Sequence, residues 1–234
     1  MRRRIALRGE INKTPVHCRA AAGFSECAHV LASVFIVYTV PMRRSSLKIR
    51  SATNKDRDGI WRIFHEVVAT GDTYAFDPAI SRREALAYWF ALGTHTYVAA
   101  RESAGDGVAV PGKPTASPTA TAVQDLQIVG TYILRPNQSG GGSHVANAAF
   151  MVAPEARGQG IGRAMGEHCL SEARRLGFLA MQFNFVVSTN ESAVRLWQQL
   201  GFKIVGTLPS AFRHPEKVYI DVYVMYRSLL EDQA

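Results

Sequence analysis

Apolar residues recur at helical spacing in four segments of the chain, and each segment begins or ends at a recognisable cap. The first stripe follows the cap at Thr53 and consists of Ile60, Phe64, Val67 and Val68. Ser81 with Glu84 three residues later predicts a capping box that opens a second helix, which we expect to end near Leu92. Two further helices are predicted over residues 161–176 and 191–200, each followed by a glycine.

Between the helices, apolar residues alternate or run together in short segments bounded by turn residues, which predicts strands. The predicted strands cover residues 47–52, 96–101, 128–134, 145–152, 180–187, 203–208 and 219–227. Residues 213–215 are assigned to a loop between the last two strands. The order β-α-α-β-β-β-α-β-α-β-β predicts an α/β (α+β) fold, with a mixed, mostly antiparallel central sheet and helices on both faces.

The composition is that of a globular protein with one domain and an appendage: 234 residues, 47% hydrophobic and 20% charged. The net charge of +8 suggests a nucleic-acid or membrane partner until its position is considered. Residues 1–50 hold ten Lys or Arg against two acids, so residues 51–234 have equal numbers of basic and acidic side chains. A neutral body argues against nucleic-acid binding and against a membrane partner.

Two stretches lack the pattern of a folded core. Residues 1–46 are basic and are predicted to be a disordered extension, with a mitochondrial transit peptide or a natural start at Met42 as alternatives. Residues 103–122, rich in Pro, Ala and Thr, are predicted to be a flexible loop within the domain at 47–234, and residues 137–143 a second mobile stretch. The three cysteines form no disulfide framework, which favours a reducing compartment: the cytoplasm, or mitochondria if the extension is a transit peptide.

A glycine-rich turn at residues 157–162 joins an apolar strand to an amphipathic helix. Gly158, Gly160 and Gly162 are expected to let the backbone approach a ligand and to adopt φ values that other residues avoid. The helix N-terminus that follows suits a pyrophosphate group. No Gly-Lys-Ser/Thr closes the turn, so a P-loop lacks its lysine, and a dinucleotide-binding fold would place such a turn after its first strand.

The turn has the form Arg157-x-x-Gly160-x-Gly162, and a second motif, Asn190-x-x-Ala-x-x-x-Trp197-x-x-x-Gly-Phe, follows some 30 residues later. This pair of motifs resembles the GCN5-related N-acetyltransferases, the GNAT superfamily, over residues 47–227. The resemblance implies acetyl-CoA as cosubstrate and no metal. The residues that it implies for acetyl-CoA binding are Met151, Val152, Arg157, Gly158, Gln159, Gly160, Ile161, Gly162, Arg163 and Asn190.

The segments around two asparagines, in neighbouring predicted strands, resemble those of a narrower group within the superfamily. This group is the fungal enzymes that acetylate proline analogues such as azetidine-2-carboxylate. By that resemblance, Asn147 and Asn184 hold the carboxylate and the nitrogen of the acceptor. The alternative is that Asn147 is a structural polar residue satisfied by neighbouring backbone groups.

The acid and base of the reaction do not follow from the sequence. Residues 146–152 contain no carboxylate, and Trp197 stands near the place where many members of the superfamily have a tyrosine that protonates the leaving thiolate. The catalytic residues are therefore unknown, with Tyr223, Tyr226 and His144 as weak candidates.

These observations predict an N-acetyltransferase that moves the acetyl group of acetyl-CoA to the amine of a small molecule, an amino acid or cyclic imino acid. The amine attacks the thioester directly. One alternative is a peptide or protein N-acetyltransferase; another is a non-catalytic sensor that binds acyl-CoA. The oligomeric state stays open, with a homodimer as one option.

Overall fold

The computed structural model describes residues 46–102 and 126–230, in which helices cover both faces of a single sheet. The strands are β1 (Lys48–Ser51), β2 (His95–Glu102), β3 (Leu126–Pro136), β4 (Val145–Val152), β5 (Ala180–Val187), β6 (Lys203–His214) and β7 (Val218–Ser228). The helices are α1 (Arg57–Val68), α2 (Arg82–Trp89), α3 (Ile161–Arg175) and α4 (Glu191–Gln199). The element order and the fold class predicted from the sequence are confirmed.

The sheet has the strand order β1-β2-β3-β4-β5-β7-β6. All neighbouring strands are antiparallel except β4 and β5, which are parallel. The β4–β5 pairing is limited to Val145 with Ala180 and Ala146 with Met181. Beyond Ala146, the main chain of β4 therefore has no strand partner on its β5 side, and we call this space the β4–β5 gap.

The side chains of two consecutive residues in β3 show which helices cover each face. Thr131 accepts a hydrogen bond from the indole nitrogen of Trp89 in α2, at 2.9 Å. The hydroxyl of Tyr132 lies 2.6 Å from Nδ1 of His168 in α3. Because consecutive strand residues point to opposite faces, α2 and α3 lie on opposite sides of the sheet. The predicted stripe of α1 is buried beside α2, through Phe64 against Trp89, and Trp197 of α4 is buried beside α3 against Phe150.

Two predicted boundaries are wrong. Helix α2 ends at Trp89, and Leu92 is exposed rather than part of the helical stripe. Strand β6 continues to His214, so that Arg213 and His214 belong to a strand and not to a loop. The strand resumes after an irregularity in which the Asp221 carboxylate accepts a hydrogen bond from the backbone N–H of Ser210 at 2.9 Å. Ser210 has a φ of 53°, and the register with β7 shifts between Leu208 and Phe212, so the strand does not continue with regular alternation there.

Other predictions concern the segments between these elements. Residues 137–143, predicted to be mobile, contain a 3-10 turn at Gly140–Gly142. Residues 1–45 of the predicted extension and the predicted loop at 103–122 lie outside the described residues. Among the helices that are described, none combines the length and the apolar character needed to cross a bilayer.

Candidate active site

The glycine turn forms an open cradle at the end of β4. A short 3-10 turn at Pro154–Ala156 follows β4, and α3 begins at Ile161. Gly158 and Gly160 have φ values of 73° and 79°, which residues with a side chain rarely adopt. A Cβ atom at either glycine would meet no other atom within 4 Å, so both glycines border open space. No side chain caps the N-terminus of α3, and its first N–H groups are free for a phosphate.

Gly162 has a different role from the one predicted. It is not among the residues with positive φ, and it lies inside α3. A Cβ atom there would come within 3.3 Å of the Leu196 side chain in α4. The lack of a side chain at Gly162 therefore serves the packing of α3 against α4.

Polar side chains surround the cradle. Gln159 donates to the backbone carbonyl of Glu155 at 3.0 Å and accepts from Arg101. Arg163 donates to Gln199 and lies 3.6 Å from Glu167, while Arg157 is exposed. These guanidinium groups add positive charge to the N-terminus of α3, which is the electrostatic environment that a pyrophosphate requires.

The remaining residues assigned to the cofactor contribute in other ways. Met151 and Ile161 are buried, so only their main-chain groups are available to a ligand, and Val152 is half-buried at the end of β4. The side-chain oxygen of Asn190 caps α4 by accepting from the N–H of Ala193 at 3.2 Å, which leaves its amide nitrogen for other partners.

Tyr74, from the segment between α1 and α2, reaches the unpaired side of β4. Its hydroxyl donates to the carbonyl oxygen of Phe150 at 2.5 Å, and it accepts from the N–H of Phe150 at 3.1 Å. Burial raises the pKa of Tyr74 above its ordinary value, so the phenol keeps its proton at neutral pH. This places a protonated hydroxyl beside the open main chain of β4.

The two predicted asparagines meet at a third asparagine. The side-chain oxygen of Asn137 accepts from the amide nitrogen of Asn147 at 3.1 Å and from that of Asn184 at 2.6 Å. The oxygen of Asn184 in turn accepts from Gln182 at 2.8 Å. Asn137 follows β3, and its backbone N–H donates to Val145. We call Asn137, Asn147 and Asn184 the asparagine cluster; it lies at the start of the β4–β5 gap.

The three weak catalytic candidates occupy three different places in the fold. His144 is exposed before β4, with Nδ1 3.1 Å from the carbonyl of Gly141. Tyr223 packs against the hydrophobic core, and Tyr226 lies opposite Gln182 in the β5–β7 ladder. In the part of the chain that the structure describes, none of the three side chains hydrogen-bonds to the asparagine cluster or to Phe150.

The motif analysis assigned no role to Tyr74 or Asn137. Tyr74 is one of several aromatic residues in the α1–α2 segment, and no spacing rule links it to a strand 76 residues later. Asn137 follows a proline directly and looked like an ordinary turn residue. The single available signal was the presence of three asparagines near two predicted strands.

Comparisons with known proteins agree with this geometry. Residues 111–202 match the family model described as Acetyltransferase (GNAT) family. The N-acetyltransferase aca1 of Schizosaccharomyces pombe is 32% identical over 163 residues, which cover 67% of this chain and 72% of that protein. The chain belongs to the GNAT family of acetyltransferases. It is therefore an acetyl-CoA-dependent N-acetyltransferase.

Solved GNAT structures support the fold as well. A GCN5-related N-acetyltransferase from Kribbella flavida has 38% sequence identity and a TM-score of 0.65, covering 78% of this chain and 97% of that one. The yncA protein of Salmonella typhimurium, solved with its cofactor acetyl-CoA, shares the fold at 22% identity and a TM-score of 0.61, covering 81% and 98%. In residues 46–102 and 126–230 of our GNAT protein, no three His, Cys, Asp or Glu side chains are grouped as metal ligands would be.

Proposed function

We propose that this GNAT enzyme acetylates the amine of a small amino acid or cyclic imino acid. The observation that carries the proposal is the asparagine cluster: the amide nitrogens of Asn147 and Asn184 share the oxygen of Asn137 as acceptor. The cluster stands beside the strand that leads into the glycine cradle. Asparagine amides carry no charge but both donate and accept hydrogen bonds, so they can donate to a carboxylate and accept from an amine.

The amine nitrogen attacks the carbonyl carbon of the acetyl-CoA thioester, so that an amide C–N bond forms and the C–S bond breaks. The amine nitrogen loses one proton, and the departing thiolate gains one to leave as coenzyme A thiol. The free N–H groups at the start of α3 would hold the pyrophosphate, and the main chain of β4 beyond Ala146 offers hydrogen-bonding groups for the rest of the cofactor. The asparagine cluster orients the acceptor, and orientation of this kind accounts for a large share of the barrier reduction in such transfers.

Tyr74 is our proposal for the hydroxyl at the reaction centre. Its phenol is protonated and is already bonded to both main-chain groups of Phe150. The hydroxyl has a single proton, so donating it to the oxygen on which negative charge develops exchanges its bond to the Phe150 carbonyl for one to the substrate. No carboxylate is present in β4 to remove the amine proton, so we propose that the enzyme binds the neutral form of the acceptor.

The proposal is tested by steady-state kinetics of Asn147→Ala and Asn184→Ala, with each substrate varied in turn. Each variant is expected to raise the KM for the acceptor about 5- to 30-fold, because one or two hydrogen bonds of about 1 kcal/mol each are lost. The KM for acetyl-CoA is expected to stay within about twofold, since the cradle is untouched.

The matched control is Asn54→Ala, which removes an exposed asparagine in the short 3-10 turn before α1. It is expected to leave both KM values unchanged. If Asn147→Ala or Asn184→Ala raises the two KM values equally, these residues support the fold rather than the acceptor, and the proposed role is wrong.

A further inference from the structure

Arg135 is the one charged residue in strand β3 and is the second-last residue of that strand, before Pro136. Its guanidinium carbon stands 4.7 Å from the centre of the Tyr88 ring, and its Nη2 donates to the Tyr88 hydroxyl at 2.8 Å. The side chain is half-buried. Among the described residues, Arg135 forms no ion pair with a carboxylate, although a guanidinium offers five N–H donors.

The register of the sheet puts Arg135 beside the asparagine cluster. Arg135 is directly opposite Asn147 in the β3–β4 ladder. Opposed residues in an antiparallel pair project from the same face, with Cβ atoms about 5 Å apart. The next residue of β4 on that face is Ala149, whose methyl group occupies little space. Arg135, Asn147 and Ala149 therefore share the face of the sheet that α2 covers.

The partners of other arginines fall into two groups, carboxylates and neutral groups. Arg50 is paired with Asp56 at 2.8 Å. Arg174 donates to the carbonyls of Leu170 and Leu229, and Arg227 donates to the carbonyl of Leu200. Arg135 belongs to the second group: the neutral phenol of Tyr88 fixes the orientation of its guanidinium without balancing its charge.

We propose that Arg135 binds the α-carboxylate of the acceptor, which makes a free amino or imino acid the substrate class. This inference rests on the proposed function and narrows it. Stacking on Tyr88 presents the planar edge of the guanidinium, and that edge matches a carboxylate in bidentate geometry. The asparagine cluster then binds the remaining polar atoms of the acceptor. A peptide N-terminus, whose first residue has no free α-carboxylate, lacks the group that Arg135 recognises.

The test uses an amino acid that the enzyme acetylates and the carboxamide of the same amino acid. Both are compared as acceptors for the full-length wild type and for Arg135→Gln. The readout is the ratio of kcat/KM for acid to that for amide. Loss of a charge-assisted bidentate pair is expected to lower this ratio about 10- to 100-fold in Arg135→Gln, through the acid alone. Amides have a lower amine pKa than acids, but this difference affects both enzymes equally and cancels between them.

Arg57→Gln is the matched control, because Arg57 also stacks on an aromatic ring, 4.4 Å from the centre of Phe90. Arg57 lies at the start of α1, after the edge strand β1, and its variant is expected to keep the wild-type ratio. Two milder variants guard against misfolding of Arg135→Gln. Tyr88→Phe removes the hydroxyl that holds Arg135, and Arg135→Lys keeps the charge without the fork; each is expected to give an intermediate ratio.

The outcomes separate this inference from the function on which it rests. If neither amino acids nor their amides support release of coenzyme A by the wild type, the proposed function fails and this inference fails with it. If amino acids are acetylated but Arg135→Gln and the milder variants lower acid and amide equally, the acetyltransferase proposal stands and the carboxylate site at Arg135 is overturned.

Discussion

Replacement of Gly160 by alanine tests whether the glycine turn is a ligand cradle, and the same helix provides the control. Gly160 lies at the start of α3 and Gly177 directly beyond its end. Their φ values are 79° and 84°, and a Cβ atom at either position would meet no atom within 4 Å. The two substitutions therefore impose the same backbone strain in equally open surroundings, at opposite ends of α3.

The expected effects differ in kind. Alanine in the left-handed region costs about 1–2 kcal/mol, partly offset by the lower entropy of the unfolded chain, so each variant should lose about 1 kcal/mol. For a domain of this size that loss corresponds to a Tm lower by about 2–4 °C. At Gly160 alone, the new methyl group also obstructs the N–H groups that face a pyrophosphate. Loss of one such charge-assisted hydrogen bond, about 1.5–3 kcal/mol, weakens coenzyme A binding about 10- to 100-fold.

The assay is isothermal titration calorimetry of coenzyme A with both variants and the wild type, alongside thermal unfolding. Gly160→Ala should bind at least tenfold more weakly than Gly177→Ala while their Tm values agree. Equal Kd values in the two variants would show that the turn contributes only to folding, and the assignment of the cradle would then be wrong.

Three further predictions concern the cluster, a cap and a helix contact. Asn137→Ala should raise the acceptor KM about 5- to 30-fold. In the double variant with Asn184→Ala, the loss of binding free energy should be smaller than the sum of the two single losses, because either substitution already removes the bond between Asn137 and Asn184. Strict additivity in a double-mutant cycle would refute the shared contact. Asp56 accepts hydrogen bonds from Arg50 and Thr53, and these hold its pKa below the usual range. The contribution of the Asp56 carboxylate to stability is therefore complete above about pH 4, the pKa of an unfolded aspartate, and is lost as the pH falls through the lower pKa of the folded state. Asp56→Asn should therefore lose about 2 kcal/mol in urea unfolding at pH 7 and a smaller amount at pH 3; an equal loss at both values would exclude the carboxylate as the cause. Gly59→Ala should destabilise the protein by about 1–2 kcal/mol despite a better helix propensity, because its Cβ would lie 2.9 Å from Cγ1 and 3.0 Å from Cβ of Ile128; an increase in Tm would mean that α1 does not press on β3 there.

Much of the fold could be predicted because local rules and tertiary packing agree. The capping box at Ser81 forms with Glu84 as expected, and α3 ends where Gly177 predicts. The strand at residues 180–187 has the predicted limits, since an apolar run there lies between a glycine turn and a helix cap. The end of β6 could not be predicted, because a side chain from β7, Asp221, satisfies the irregular backbone at Ser210.

The candidate site was less predictable because it is assembled by contacts between distant segments. Asn147 and Asn184 could be singled out as polar residues in apolar strands, but their common partner Asn137 depends on how β3 turns into β4. Tyr74 meets Phe150 only through the packing of the α1–α2 segment over the sheet. Arg135 lies just beyond the strand predicted at residues 128–134, and the register of β3 with β4, which the sequence does not specify, places it opposite Asn147. The site-binding roles of all these residues stay predictions.

The most direct test of the proposed function is release of free thiol from acetyl-CoA by the full-length protein, supplied with a panel of amino acids and cyclic imino acids that includes azetidine-2-carboxylate. Mass spectrometry of the same reactions identifies the acetylated acceptor. We expect thiol release to require a panel member and to match the amount of N-acetylated product. Binding of acetyl-CoA without thiol release for any panel member would contradict the proposal that this GNAT enzyme acetylates a small amino or imino acid.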